Sequence, residues 1–328
     1  MTPIRTARRA ALALLVLTLA WLPLTASACQ LDTPSQIVSF GSQASLNAGI
    51  SSQSARAVPN AGISCPGSAI GLLTGNFYIR ATISSANAMR LRHSSGDTIA
   101  YAAYPSDSSQ TPITPGTTYD YYQSGVLQLG SGGVSVPMSY RMPATTGNLS
   151  AGTYTDTLTV AWSWRVCPLI GAAGLCIGIP RQGTATSTIN LTLTISPDCL
   201  IQAPDVDFGS APLVAGFQPI TQTISVRCTK GQSYSVGIGD GLHAAGSQRR
   251  MAAGGDYLAY QIYQGVNSPN RWGNSGGARR ASTSAEINPG VGTGITAQGF
   301  TYRAEILPNQ TTPPPGAYSD TLVVDIAF

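Results

Sequence analysis

The sequence predicts an all-β chain made of two antiparallel β-sandwiches. Three observations carry this expectation. Short runs rich in branched and aromatic residues recur along the chain, separated by clusters of Gly, Pro, Ser and Asn. A strand pattern occurs twice, at Gly152-Thr-Tyr-Thr-Asp-Thr-Leu-Thr-Val-Ala-Trp-Ser-Trp164 and at Gly316-Ala-Tyr-Ser-Asp-Thr-Leu-Val-Val-Asp-Ile-Ala-Phe328. A further alternating run follows the first copy and has no counterpart after the second.

Residues 1–28 read as a secretory signal. Arg5, Arg8 and Arg9 form the positive region, Ala10 to Leu24 an apolar run, and Ala26-Ser27-Ala28 a small-residue cleavage site. Cleavage before Cys29 leaves a lipoprotein reading open, although Ala26 stands where such signals usually carry Leu. The run is short and early for a membrane span. Loss of the three arginines takes the net charge from +4 to +1, and Lys230 is the only lysine. A charge-poor, nearly neutral chain lacks the basic footprint of a nucleic-acid binder.

The repeat extends beyond the strand pattern. Cys29 precedes Ile37-Val-Ser-Phe-Gly41 and Cys65 lies in Gly62-Ile-Ser-Cys. Cys199 precedes Val206-Asp-Phe-Gly209 and Cys228 lies in Ser225-Val-Arg-Cys. Export and an even cysteine count favour disulfides. The repeat selects Cys29 with Cys65 and Cys199 with Cys228, which leaves Cys167 with Cys176. Tyr140-Arg141 and Tyr302-Arg303 stand at similar distances before Gly152 and Gly316. The expected domains are 29–196 and 197–328, joined by the short, stiff Ser196-Pro197-Asp198.

Within the repeated strand, Leu158, Val160, Trp162 and Trp164 share one face, as do Leu322, Val324, Ile326 and Phe328 in the second copy. Period two predicts a strand with one buried side. The tryptophans are therefore expected in the core rather than as a sugar platform. Thr186 to Ile195 is the extra alternating strand, with Ile189, Leu191, Leu193 and Ile195 on one side. The first domain owns one strand more than the second. Equal architecture would leave the second with an open sheet edge and an uncovered apolar groove, which another chain could fill.

These ordered pieces resemble the spore coat protein U domain, which builds subunits of archaic, Csu-type chaperone–usher pili. The resemblance covers both halves and is clearest over 199–328. It implies immunoglobulin-like domains, the C-terminal one lacking its final strand and completed by a donated strand. The implied partners are a periplasmic pilus chaperone, an outer-membrane usher, an adjacent pilin subunit, and an abiotic or host surface. The implied location is the cell surface, at a pilus tip. A mature start at Cys29 would leave no donor segment, so the chain would accept a strand without giving one. That is the expectation for a two-domain tip adhesin acting in surface attachment and biofilm formation. A non-tip structural pilin and a secreted two-domain binding module are the competing readings. Leu322, Val324, Ile326 and Phe328 would line the donor-strand groove.

The best candidate for surface contact is the cysteine-closed loop carrying Leu169, Ile170 and Leu175, which has no equivalent in the second domain. Leu72 and Leu73 in Ile70–Thr74, and Tyr101 and Tyr104 in Ile99–Tyr104, are further candidates, competing with edge-strand and core roles. Tyr119, Tyr121 and Tyr122 read as local packing. No motif supports catalysis: His243 near Asp240 lacks a nucleophile or paired acid, and the only glutamates are Glu286 and Glu305. No cysteine pair has metal-ligand spacing, and no cofactor is implied. Asp205 and Asp207 read as solvated, and the Arg249-Arg250 and Arg279-Arg280 pairs as solvated loops.

Overall fold

The computed structural model describes residues 29–31, 34–46, 53–56, 63–65, 77–122, 128–130, 133–136, 138–143, 148–167, 169–170 and 176–328. The described residues form two β-sandwiches. Each has its own hydrophobic core, one drawn from Cys29 to Ile195 and the other from Cys199 to Ile326.

The main sheet of the first sandwich contains β1 (Ser35–Ala44), β2 (Tyr78–Ser85), β3 (Thr118–Asp120), β4 (Gly152–Val166) and β5 (Arg181–Ser196). Their order is β1-β5-β4-β2-β3. β4 is the repeated strand, and its expected alternation holds over its whole length. Leu158, Val160, Trp162 and Trp164 are buried, and Trp162 donates its indole N–H to Ser187 Oγ at 2.9 Å. β5 is the extra strand. It pairs antiparallel with β4 from Val166↔Arg181 to Gly152↔Ile195, and parallel with β1 on its other edge. Ile189, Leu191, Leu193 and Ile195 are fully buried between the sheets. Burying such side chains is worth roughly 1.5–3 kcal/mol each before entropy is counted. A facing three-stranded sheet holds Gln53–Arg56, β6 (Ser139–Met142) and Ala102–Tyr104.

The second sandwich has a five-stranded antiparallel sheet of β7 (Cys199–Gln202), β8 (Ile220–Cys228), β9 (Arg249–Ala253), β10 (Asp256–Gln264) and β11 (Gln298–Ile306), in the order β7-β8-β11-β10-β9. Against it lies a short sheet of β12 (Ser235–Ile238), β13 (Arg280–Ala281) and β14 (Val324–Ala327), in the order β13-β12-β14. Arg249 locks the two layers together. It is wholly buried and donates to the carbonyls of Ile238, Gly239 and Trp272 and to Gln261 Oε1. Arg280 is also buried and lies over the rings of Trp272 and Phe300, with Glu286 as its ion partner. These two arginines correct the expectation of solvated loops, because each guanidinium finds enough carbonyl and carboxylate acceptors to be kept in the core.

The second copy of the repeated strand differs from the first. A regular strand over Gly316–Phe328 is expected, but only Val324–Ala327 is laddered, against β12 alone. Residues 316–323 run irregularly, touching β9 through the isolated Ala252↔Ser319 bridge. The physical reason is the missing neighbour. β4 has β5 along its full length, whereas nothing among the described residues occupies the corresponding edge of β14.

Two disulfides form as expected, Cys167–Cys176 and Cys199–Cys228. Cys29 is disulfide-bonded, and the Gln30↔Ser64 register sets its backbone beside that of Cys65, whose side chain lies outside the described residues.

Candidate functional site

The absent strand leaves a cavity of about 460 Å³ in the second sandwich. Its two rims are residues 203–208 and 318–324, and its floor includes Ile224, Ile262 and Tyr302. The first sandwich explains this placement. There β1 carries Val38 and Phe40 inward, and β5 sits between β1 and β4. In the second, Val206 and Phe208 take the places of Val38 and Phe40, but their segment makes no ladder and both side chains are only half-buried. Gly41 and Gly209 close the two segments with positive φ, +83° and +71°, so both copies turn alike. The space bounded by Val206, Phe208, Met251, Tyr260, Leu322 and Val324 is thus the counterpart of the space filled by β5.

Of the expected groove residues, Leu322 and Val324 line the cavity. Ile326 packs half-buried on the core beside it. Phe328 does not line it: it lies beyond the last ladder pair and is 57 % exposed, which corrects its expected place on the groove wall. Val323, just before β14, is 66 % exposed and does not line the cavity.

The candidate contact loops fare unequally. Backbone pairing of Leu169–Ile170 with Cys176–Ile177 makes the disulfide loop a small hairpin. The side chains of Leu169, Ile170 and Leu175, together with Leu72 and Leu73, lie outside the described residues. Ile177 and Ile179 were not among the expected contact residues, yet they stand exposed at 53 % and 86 % just past the disulfide. Their signal was the Ile-Gly-Ile spacing before Pro180. Tyr101 is withdrawn from the contact set. It is 4 % exposed and its hydroxyl donates to Asp156 Oδ2, so it is a core residue. Tyr104 is half-buried and covered by the Arg141 guanidinium at 4.2 Å. Tyr121 is buried and packs edge-on against Tyr119, in agreement with local packing. Asp240 forms an ion pair with Arg271 rather than facing His243. Among the described residues no group of three His, Cys, Asp or Glu could hold a metal ion.

Known proteins place this architecture. The model of the Spore Coat Protein U domain matches residues 15–161 and again 185–325. The chain belongs to the Spore Coat Protein U domain family. Both sandwiches are therefore copies of one domain; in the structure β5 pairs within the first, and the corresponding edge of the second pairs with no strand among the described residues. Among solved structures, a chain of the CsuC–CsuE chaperone–tip adhesion subunit pre-assembly complex from the archaic Csu pili of Acinetobacter baumannii is 26 % identical. The match covers 92 % of this chain and 100 % of that one, with a TM-score of 0.58. The CFA/I adhesin CfaE of enterotoxigenic Escherichia coli is 11 % identical over 90 % of this chain and 92 % of its own, with a TM-score of 0.34. No curated protein matches the sequence.

Proposed function

We propose that this spore coat U protein is a two-domain pilus subunit, acting as a tip adhesin. Its second sandwich, residues 197–328, is completed by a strand from another chain. The observation that carries this reading is the contrast between the two copies. One fills the edge of its repeated strand with β5, and the other leaves there a cavity beside the outer edge of β14, which pairs with no strand among the described residues. Main-chain hydrogen bonds to β14 and to residues 203–209 would supply affinity, and alternating apolar side chains would fill the cavity. The incoming strand would be held first by a periplasmic chaperone and then, at the outer-membrane usher, exchanged for a segment of the adjacent pilin. The likeness to the chaperone–tip subunit complex supports this assignment.

The first sandwich, residues 29–196, needs no partner and would be the part that meets an abiotic or host surface, including in biofilm formation. The disulfide hairpin supports this role. Ile177 and Ile179 stand in solvent just past the Cys167–Cys176 bridge, and apolar side chains beside a crosslink lose little entropy on contact. Export would depend on the signal at residues 1–28.

Separate production of residues 29–196 and 197–328 in an oxidising periplasm tests the proposal. The first should unfold cooperatively in urea. The second should be degraded or aggregate unless a pilus chaperone is co-produced. Two stable monomers would instead identify a secreted binding module. Sequencing of the mature N-terminus distinguishes a tip subunit, starting at Cys29, from a non-tip pilin with a donor segment ahead of it.

A further inference from the structure

The junction between the sandwiches holds a cluster of polar contacts that neither domain's fold requires. The chain's single lysine, Lys230, follows Cys228 at the end of β8 and reaches into the first domain. Its Nζ lies 2.6 Å from Asp97 Oδ1. The other carboxylate oxygen of Asp97 accepts the Ser150 backbone N–H at 2.9 Å. Ser150 itself forms a backbone bridge with Lys230. Nearby, Asn148 Nδ2 donates to the Thr293 carbonyl at 2.7 Å, and Ser45 Oγ bonds Thr229 Oγ1.

The connecting residues are pinned as well. Ser45 N–H donates to the Ser196 carbonyl at 3.2 Å, and the Asp198 N–H donates to Thr229 Oγ1 at 2.7 Å. The backbone is thus bonded on both sides of Pro197. Three separate stretches of the first domain, around residues 45, 97 and 148–150, meet two of the second, 229–230 and 293. Polar interdomain contacts usually permit relative motion, and a single contact would leave rotation free. Several contacts from separate loops, around a connection two residues long, restrict both bending and twist.

We propose that Asp97, Ser150 and Lys230 form a polar latch that fixes the two sandwiches in one relative orientation. The latch would hold the two sandwiches together as one rigid body. It rests on the junction contacts alone and stands whether or not the chain is a pilus subunit.

The test is small-angle scattering of the full chain, purified with whatever partner it carries. Wild type is compared with Lys230→Met, Asp97→Asn, the double variant and Lys230→Arg. Far-UV circular dichroism confirms that each variant is folded. Lys230→Met and Asp97→Asn break the same contact from opposite sides, so either one carries the test if the other fails to fold. The expected result is a larger maximum dimension and a flexible scattering profile for Lys230→Met and Asp97→Asn. The double variant should go no further than either single change, and Lys230→Arg should remain close to wild type. The ε-amine of Lys230 should also acylate several-fold faster in Asp97→Asn, read by intact mass. Wild-type scattering from folded Lys230→Met and Asp97→Asn would overturn the latch, as would a double variant markedly looser than both.

Discussion

The Tyr260 hydroxyl donates a 2.7 Å hydrogen bond to Asp320 Oδ2. The first domain has the same pair, with Tyr101 donating to Asp156 Oδ2 at 2.6 Å. The shared aspartate of the repeated strand is therefore a bolt from that strand to the facing layer. Burial, reinforced by the Asp320 carboxylate, pushes the Tyr260 hydroxyl far up, so it stays a donor at any physiological pH. The two bolts are not equally loaded. Asp156 also accepts Ser85 Oγ, Asn87 N–H and Thr157 N–H, and it is 2 % exposed. Among the described residues, Asp320 accepts only the Leu242 N–H in addition. Asp156→Ala should cost about 3 kcal/mol or more, because several buried donors lose their acceptor, and Asp320→Ala about 1–2 kcal/mol. Urea midpoints of the full chain, purified with its co-produced chaperone, check the order. Equal losses would refute the account.

Much of this was legible in the sequence, because a repeat is a comparison the chain makes with itself. The alternation of Leu158 to Trp164, the surplus strand from Thr186 to Ile195 and the pairings of Cys167 with Cys176 and Cys199 with Cys228 all follow from periodicity and register. What was hidden depends on contacts distant in sequence. Asp97 and Lys230 are 133 residues apart, and no pattern links them. The second copy has the strand-forming pattern of the first, yet residues 316–323 are irregular, since a strand needs a ladder partner that sequence periodicity does not supply. Phe328 shares the phase of Val324 and Ile326 but lies past the end of that ladder. Arg249 and Arg280 read as surface charges because the carbonyls that accept from them come from segments on both layers.

The latch has a definite pH and salt signature. Burial alone would raise the Asp97 pKa, but the bonds from Lys230, Ser150 and Ser95 outweigh it and hold the carboxyl well below its ordinary range. A depressed carboxylate contributes its stabilisation above its unfolded pKa, about 3.9, and loses it only as pH falls through the folded value. Scattering from the full chain should therefore be unchanged from pH 7 to about pH 4.5. Salt acts differently, because Lys230 is 40 % exposed and the Debye length shrinks to about 3 Å at 1 M. High salt at neutral pH should loosen the junction. Loosening near pH 6 would show that some other group controls it.

Ile177 and Ile179 give the adhesion proposal a sharp test. Their side chains stand in solvent beyond the Cys167–Cys176 bridge, so replacing both with Ser should change stability by no more than about 0.5 kcal/mol. Cells carrying the double variant should display pili at normal abundance and attach to a hydrophobic surface several-fold less well. Attachment equal to wild type, with pilus number unchanged, would remove this edge of the hairpin from the contact surface.

Val324 decides whether the cavity is a docking groove. It lies on the cavity wall, half-buried, in the one stretch of the repeated strand that keeps a ladder partner, Val324↔Ile238. In the first sandwich the strand that fills the equivalent space buries four aliphatic side chains, a gross gain of roughly 6–12 kcal/mol. That is comparable with the whole net stability of a small domain, about 5–15 kcal/mol, so the open sandwich should not persist unaided. Val324→Asp would place a charge where donated side chains must pack, and an unpaired buried charge costs several kcal/mol. The variant should be lost from chaperone complexes recovered from the periplasm, with the full chain degraded. The outward-facing Val323→Asp, at a position already exposed, should be recovered as wild type. Equal recovery of both variants would mean that no strand enters beside Leu322 and Val324, and the open edge would need another explanation.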